Sequence, residues 1–111
     1  MSIDLYGKYI KERENSEIHI HDNGFVTYKK IDDETYYLVD CFVEKEFRRT
    51  GLATQLGEEV CAIVKARGAK RVIGSISTDA NGVTESLKAI LAAGYKFASL
   101  QGTMLYFTKD L

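Results

Sequence analysis

Four short runs in the first part of the chain carry apolar, β-branched and aromatic residues in the manner of strands: residues 9–12, 17–21, 25–31 and 35–43. Between them stand Glu14-Asn15-Ser16, Asp22-Asn23-Gly24 and Asp32-Asp33-Glu34, whose side chains suit tight turns. Connections this short predict an antiparallel meander. The period then lengthens. Leu52, Leu56, Val60, Ile63 and Val64 form a helical stripe, with Gln55, Glu58, Glu59 and Lys65 away from it and Gly68 as the stop. Residues 71–77 predict a buried strand, in which Gly74 marks a weak spot or a close approach by another group. A second helix carries Val83, Leu87, Ile90 and Leu91 on one face, with Asn81 or Asp79 as its cap and Gly94 closing it. Residues 96–100 and 104–109 read as two last strands joined by Gln101-Gly102-Thr103.

Four strands, a helix, a strand, a helix and two strands make an α+β fold. The expected architecture is a mixed, mostly antiparallel sheet with one right-handed parallel strand–helix–strand crossover and helices packed on it. The 111 residues hold no repeat, linker or low-complexity tract, so residues 1–111 read as one domain. A chain of this size should expose about 6,200 Å² when folded and bury about two-thirds of its unfolded surface. With 45% hydrophobic residues it can fill that core without a disulfide or a structural metal.

Net charge is −1, with charged residues at 28%. That balance excludes a disordered acidic tail and a globally basic nucleic-acid binder. Neither the opening stretch MSIDLYGKYIKER nor any later one has the apolar length of a signal peptide or membrane span, which predicts a cytoplasmic protein away from membranes. Cys41 and Cys61 sit inside apolar runs and read as core thiols rather than a disulfide scaffold.

The chemistry concentrates where a strand ends at Cys41-Phe42-Val43, a basic turn follows, and a helix begins at Gly51-Leu52-Ala53. The first N–H groups of a helix have no internal partners, and its dipole adds partial positive charge there. Gly51 and Ala53 keep side-chain bulk away, while Arg48 and Arg49 add fixed charge. This combination suits a phosphate or pyrophosphate. An ordinary strand-to-helix turn with solvated arginines would look the same from composition alone.

Arg48-x-x-Gly51-x-Ala53, at the junction of a strand ending in Val43 and an amphipathic helix, resembles the acyl-CoA-binding motif of the GNAT superfamily of N-acetyltransferases, (Gln/Arg)-x-x-Gly-x-(Gly/Ala). The resemblance runs from about Phe25 to Phe107 and includes the Gly94-Tyr95 pair that ends the second helix. It implies acetyl transfer from acetyl-CoA directly to an amine acceptor, with no covalent enzyme intermediate and no metal. It implies that Arg48, Arg49, Thr50, Gly51, Leu52 and Ala53 hold the CoA pyrophosphate through backbone N–H groups. Cys41, Phe42 and Val43 would bond the pantetheine arm where their strand splays from residues 71–77, and Asn81 would contact the same arm.

A lysine amine has a pKa near 10.4, so attack at neutral pH calls for a base or a water relay. Asp40 is the best-placed carboxylate in the sequence for that role, with a lysine-paired strand aspartate as the structural alternative; Tyr37 on the same strand is the second candidate, otherwise a packed aromatic. The family often protonates the departing thiolate with a tyrosine four residues before the Gly-aromatic pair. Here that position is Ile90, leaving Tyr95, Ser86 or solvent for the task. Only 47 residues precede Arg48, where family members usually place two helices before the first hairpin, and those helices normally wall the acceptor site. An open site predicts an acceptor amine carried on a protein, or a site completed by a second subunit; a monomer and a homodimer both fit. Some very short relatives use a cysteine at the end of the strand equivalent to residues 71–77, but Ser75-Ile76-Ser77 stands there.

Other features carry less. His19-x-His21 with Asp22 nearby lacks a third metal ligand. Lys65, Arg67, Lys70 and Arg71 suit the adenosine 3′-phosphate, an acidic partner, or simply a solvated helix end. Two rival functions stay open: a catalytically idle GNAT-like module that binds a partner protein, and a small nucleic-acid-binding domain, against which the balanced charge counts.

Overall fold

The computed structural model describes residues 3–111; Met1 and Ser2, which begin the stretch read for a leader, lie outside them. In chain order the elements are α1 (Ile3–Glu14), β1 (Ser16–His21), β2 (Gly24–Asp32), β3 (Thr35–Val43), a 3-10 turn (Lys45–Phe47), α2 (Leu52–Ala66), β4 (Arg71–Ser77), α3 (Val83–Ala92), β5 (Lys96–Gln101) and β6 (Met104–Asp110). The sheet order is β1-β2-β3-β4-β6-β5. Every neighbouring pair is antiparallel except β3 and β4, which α2 joins as the parallel crossover.

Residues 9–12 correct the sequence reading, because they form part of a helix. Four residues are too few to separate the two periods. Tyr6, Gly7 and Ile10 are spaced for one helical face, and Ile10 is fully buried on it. Asp4 in the first turn and Lys11 and Arg13 in the last suit the helix dipole. The chain therefore keeps one helix ahead of its first hairpin, where the sequence reading expected none.

Strand alternation assigns the helices to faces. On β1, His19 meets Glu59 of α2, and Glu17 meets Arg67, which caps the end of α2. The intervening Ile18 points the other way, where a Cβ on Gly7 of α1 would lie 3.4 Å from it. So α1 covers one face and α2 the other. α3 joins α2, since a Cβ on Gly74 of β4 would lie 3.0 Å from Ile90. The close approach expected at Gly74 is thus Ile90, with Tyr95 behind it. Between the sheet and these two helices lies the core, built on Val26, Tyr28, Tyr36, Leu56, Val60, Val64, Val72 and Phe107.

The functional consequence of this topology is a gap. β3 pairs with β4 only through Thr35–Tyr37 against Arg71–Ile73. Two residues later β3 bulges: Leu38 faces Tyr28 and Asp40 faces Thr27, leaving Val39 without an opposite number. A bulge bends and twists its strand. β3 swings away from β4, and the main-chain groups on that edge lose their strand partner. The exposed surface is 7251 Å², above the roughly 6,200 Å² expected for the mass.

Candidate functional site

A cleft of about 610 Å³ fills the gap. Leu38, Asp40, Cys41 and Val43 line it from β3, Ser75, Ile76 and Ser77 from β4, Ala53, Thr54 and Gly57 from α2, and Ser86, Ala89 and Ile90 from α3. Small residues on both helices let the cleft run between them to the sheet.

The mouth is the start of α2. Gly51 is its N-cap, with φ +88°, and no side chain caps the helix. Its first turn carries no acidic residue. The first bond of the helix runs from the Gln55 N–H to the Gly51 carbonyl at 3.0 Å, so the N–H groups of Leu52, Ala53 and Thr54 lie outside the internal ladder. Relative to this glycine, a serine or aspartate cap would add only about a few tenths of a kcal/mol. The sequence instead keeps the positive end of the dipole uncompensated.

The loop leading to it is braced. Arg48 lines the cleft, donates from Nε to the Val43 carbonyl at 3.0 Å and places its guanidinium 5.8 Å from the centre of the Phe42 ring. Thr50 donates its hydroxyl to the Phe47 carbonyl. Arg49 takes φ +64° and reaches Glu85 at 4.0 Å, but it is 86% exposed and the pair holds little energy. Leu52 turns inward and is buried.

Asp40 and Tyr37 occupy the α1 face. The bulge carries Asp40 there: it pairs with Thr27, whose hydroxyl accepts the Asp40 N–H at 3.0 Å. The Asp40 side chain is exposed and makes no ion pair among the described residues, so the lysine-paired alternative is not what the fold builds. Tyr37 shares a hydrogen bond of 2.6 Å between its hydroxyl and that of Ser75 across the last paired stretch before the gap. Ser75 is a site residue the sequence reading missed as a partner; alternation in residues 71–77 placed it opposite Gly74, and only the parallel register brings it to Tyr37.

Several expectations change. Cys41 is exposed on the open strand edge and lines the cleft, whereas Cys61 is the buried thiol. Partial burial pushes the Cys41 thiol above its usual pKa. The cap of α3 is Gly82, with φ +74°; neither Asn81 nor Asp79 supplies a side-chain cap. Asn81 is exposed in the preceding turn and does not line the cleft. Phe42 turns to the opposite face, where its ring lies 5.9 Å from that of Phe25. The basic cluster is remote, since α2 spans 15 residues, about 22 Å, between Leu52 and that end. There Arg67 forks onto Glu17, while Lys70 and Arg71 both reach Glu34. His19 bonds Glu59 at 3.0 Å, His21 accepts the Asn23 N–H, and no metal-competent group of three forms among the described residues.

Ile90 and Tyr95 settle which acids border the cleft. Ile90 is packed against Gly74 and carries no proton. Tyr95 is buried, its hydroxyl 3.8 Å from the Cys61 sulfur, and burial raises its pKa far above the usual tyrosine value, with Cys61 adding to the rise. It remains protonated, and either it or the Cys61 thiol can donate the hydrogen bond between them. Ser86 lines the cleft from α3.

With this geometry in place, comparison with known proteins gives a consistent result. The model of the acetyltransferase (GNAT) family matches residues 12–94. No curated protein sequence matches. Among solved structures, a GNAT family acetyltransferase from Elizabethkingia anophelis with acetyl-CoA bound superposes with a TM-score of 0.76 at 17% identity, covering 99% of this chain and 84% of that one. A Bacillus subtilis acetyltransferase in complex with CoA gives 0.74 at 16%, covering 97% and 86%. The PaiA N-acetyltransferase of Thermoplasma acidophilum, in complex with coenzyme A, gives 0.77 at 17%, covering 96% and 69%. Among the described residues no helix is long and apolar enough to cross a membrane.

Proposed function

The chain belongs to the GNAT acetyltransferase family, and from that premise we propose that it transfers the acetyl group of acetyl-CoA directly to an amine, carried on a protein. One observation supports this above the rest: the unpaired edge of β3 beyond Tyr37 runs straight to the uncapped start of α2. Free main-chain groups there suit an amide-bearing arm, and free helical N–H groups suit a pyrophosphate. The residues fit the cosubstrate. Arg48, Gly51, Leu52 and Ala53 would hold the pyrophosphate, with Arg49 and Thr50 shaping the turn. Cys41 and Val43 would hold the pantetheine arm by their main chain, with Phe42 between them; Asn81 is the least supported of the set.

Acetyl-CoA supplies an already activated thioester, so the chemistry calls for no metal. The amine nitrogen forms the new amide bond as the carbon–sulfur bond breaks. Asp40, solvated and unpaired, takes one proton from the incoming ammonium directly or through water, the second nitrogen proton passes to water as the amide forms, and Tyr37 holds the fork beside it. The thiolate is a fair leaving group, with a thiol pKa of about 8.5, and solvent protonates it. We also read residues 1–111 as a single domain of a cytoplasmic protein, in keeping with two unpaired cysteines and balanced charge.

The second reading is a partner-binding module without turnover, favoured by Ile90 at the usual acid position. Acetyl-CoA titrated by calorimetry tests the site, and acceptor-dependent release of free thiol tests the chemistry. Binding without release of thiol for any amine would select the idle module. Absence of binding would remove both the cosubstrate and the roles given to residues 48–53.

A further inference from the structure

On the α1 face, residues opposite one another on three strands make an apolar row. Ile20 of β1 faces Phe25 of β2, which faces Phe42 of β3. Ile20 and Phe42 are each 46% exposed. Together they floor a groove of about 340 Å³ whose walls include His21, Asp22 and Glu44. Two carboxylates, Asp22 and Glu44, line the groove, and among the described residues no lysine or arginine is part of that lining, although one cation adjoins its floor. Arg48 lies over the Phe42 ring, its Nε held by the Val43 carbonyl.

The groove floor at Phe42 and the candidate base lie on the same strand. Asp40 and Phe42 share a strand and a face, because Asp40 pairs with Thr27 and Phe42 with Phe25. Two residues of strand separate them, roughly 7 Å. An extended peptide places alternate residues at the same spacing.

We infer that the groove receives a side chain adjacent to the acceptor amine, and that the acceptor is a polypeptide segment with a large apolar residue within two positions of that amine and a net positive charge around it. The inference rests on the acetyltransferase reading above and names its substrate class. A small amine needs most of its surface enclosed to bind well, and this half-exposed floor encloses little. An extended segment gathers contact area over several residues instead. Asp22 and Glu44 outnumber Arg48, so the groove draws cationic segments and repels acidic ones.

The test uses the whole protein and peptides of one length, each with one reactive amine. One has Phe and Arg near the amine, a second has Ser in place of Phe, and a third has Glu in place of Arg. Acetyl-CoA-dependent thiol release should give the first peptide a kcat/KM at least tenfold above the others. Ile20→Ser should erase most of that preference while leaving acetyl-CoA affinity and turnover of the Ser peptide unchanged. Equal kcat/KM for all peptides, or a small amine turned over as fast as the first peptide, would overturn the inference and leave the acetyltransferase reading standing. No transfer to any amine, with acetyl-CoA bound, would sink both. A dimer that Ile20→Lys dissociates would assign the groove to a second copy of the chain, again against the inference.

Discussion

Tyr37 and Ser75 join their hydroxyls at 2.6 Å where β3 and β4 stop pairing. One hydroxyl belongs to each strand, so the bond acts as a tie at the base of the cleft. Tyr37→Phe leaves the ring in place and removes the tie. We expect a stability loss of about 1 kcal/mol in urea unfolding, the usual size for one such bond. Ser75→Ala should lose a similar amount, and the double variant little more than either. Additive losses would show that the two hydroxyls are not partners in solution.

Gly51 lies at φ +88° with nothing within 4 Å of where a Cβ would stand, so substitution there is limited by backbone conformation and charge rather than space. Asn and Asp both tolerate this conformation better than other residues. Gly51→Asp adds a negative charge at the proposed pyrophosphate position and should lower acetyl-CoA affinity at least tenfold, about 1.4 kcal/mol. Gly51→Asn should lose far less. Calorimetry on both variants, with unchanged circular dichroism, checks this; equal affinities would mean that no anion sits at the turn. Arg48→Ala and Arg49→Ala should have smaller effects that fade at high salt.

The rate should rise with pH as the acceptor amine loses its proton. It should show no fall up to pH 10, because Tyr95 is held protonated by burial well beyond its usual range and Ile90 has no proton to lose. A falling limb near pH 9 with the fold intact would identify an acid in the cleft. Asp40→Asn should slow transfer at pH 7 several-fold more than at pH 10, where the free amine needs no base. An equal loss at both would make Asp40 a positioning residue only.

Cys41 offers a chemical probe of the open edge. With its pKa raised by burial it holds less thiolate at pH 8 than a free thiol, so alkylation by iodoacetamide should be slower than for a small-molecule thiol. Saturating acetyl-CoA should slow it at least threefold more. Cys61, buried beneath Tyr95, should react only on unfolding. Mass spectrometry of the labelled peptides distinguishes the two. Indifference of Cys41 to acetyl-CoA would place the pantetheine arm elsewhere.

Gly24 is a glycine of close approach. A Cβ there would lie 2.6 Å from the Phe42 carbonyl oxygen and 3.3 Å from the Val43 Cα, both backbone atoms of β3, the strand whose other edge borders the cleft. Gly24→Ala must displace that edge. We expect a loss of about 1–3 kcal/mol in thermal or urea unfolding, the range for overpacking, with weakened acetyl-CoA binding alongside. An unperturbed variant would show that the hairpin relaxes freely.

Much of this organisation was legible because it rests on period and local chemistry. The stripe from Leu52 to Val64 marks the start of α2 and comes within two residues of its end, and β4 spans Arg71–Ser77 as read. The loop from Arg48 to Ala53 carries its own signature, since an uncapped glycine start after a basic turn is local in sequence. α1 was misread because Tyr9-Ile10-Lys11-Glu12 is too short to display a period, and only Ile10 is buried in it. The Gly82 cap was hidden behind Asp79 and Asn81, both better cappers by type. The Tyr37–Ser75 pair and the face taken by Asp40 depend on strand register. Register across a parallel crossover, and a bulge that resets alternation, are tertiary outcomes with no local marker.

Val39 has a significance that its own side chain does not explain. β2 spends one residue, Thr27 after Tyr28, where β3 spends two, so over this stretch β3 carries one residue more than β2. Deleting Val39 would leave Leu38 opposite Tyr28 and Asp40 opposite Thr27, with every downstream partner retained. What it would remove is the surplus length, and with it the bend. A straightened strand would continue alongside residues 74–77 and zip the sheet shut. The opening in this sheet thus follows from a local surplus of one residue, placed where β3 leaves β4 rather than anywhere else along the pair.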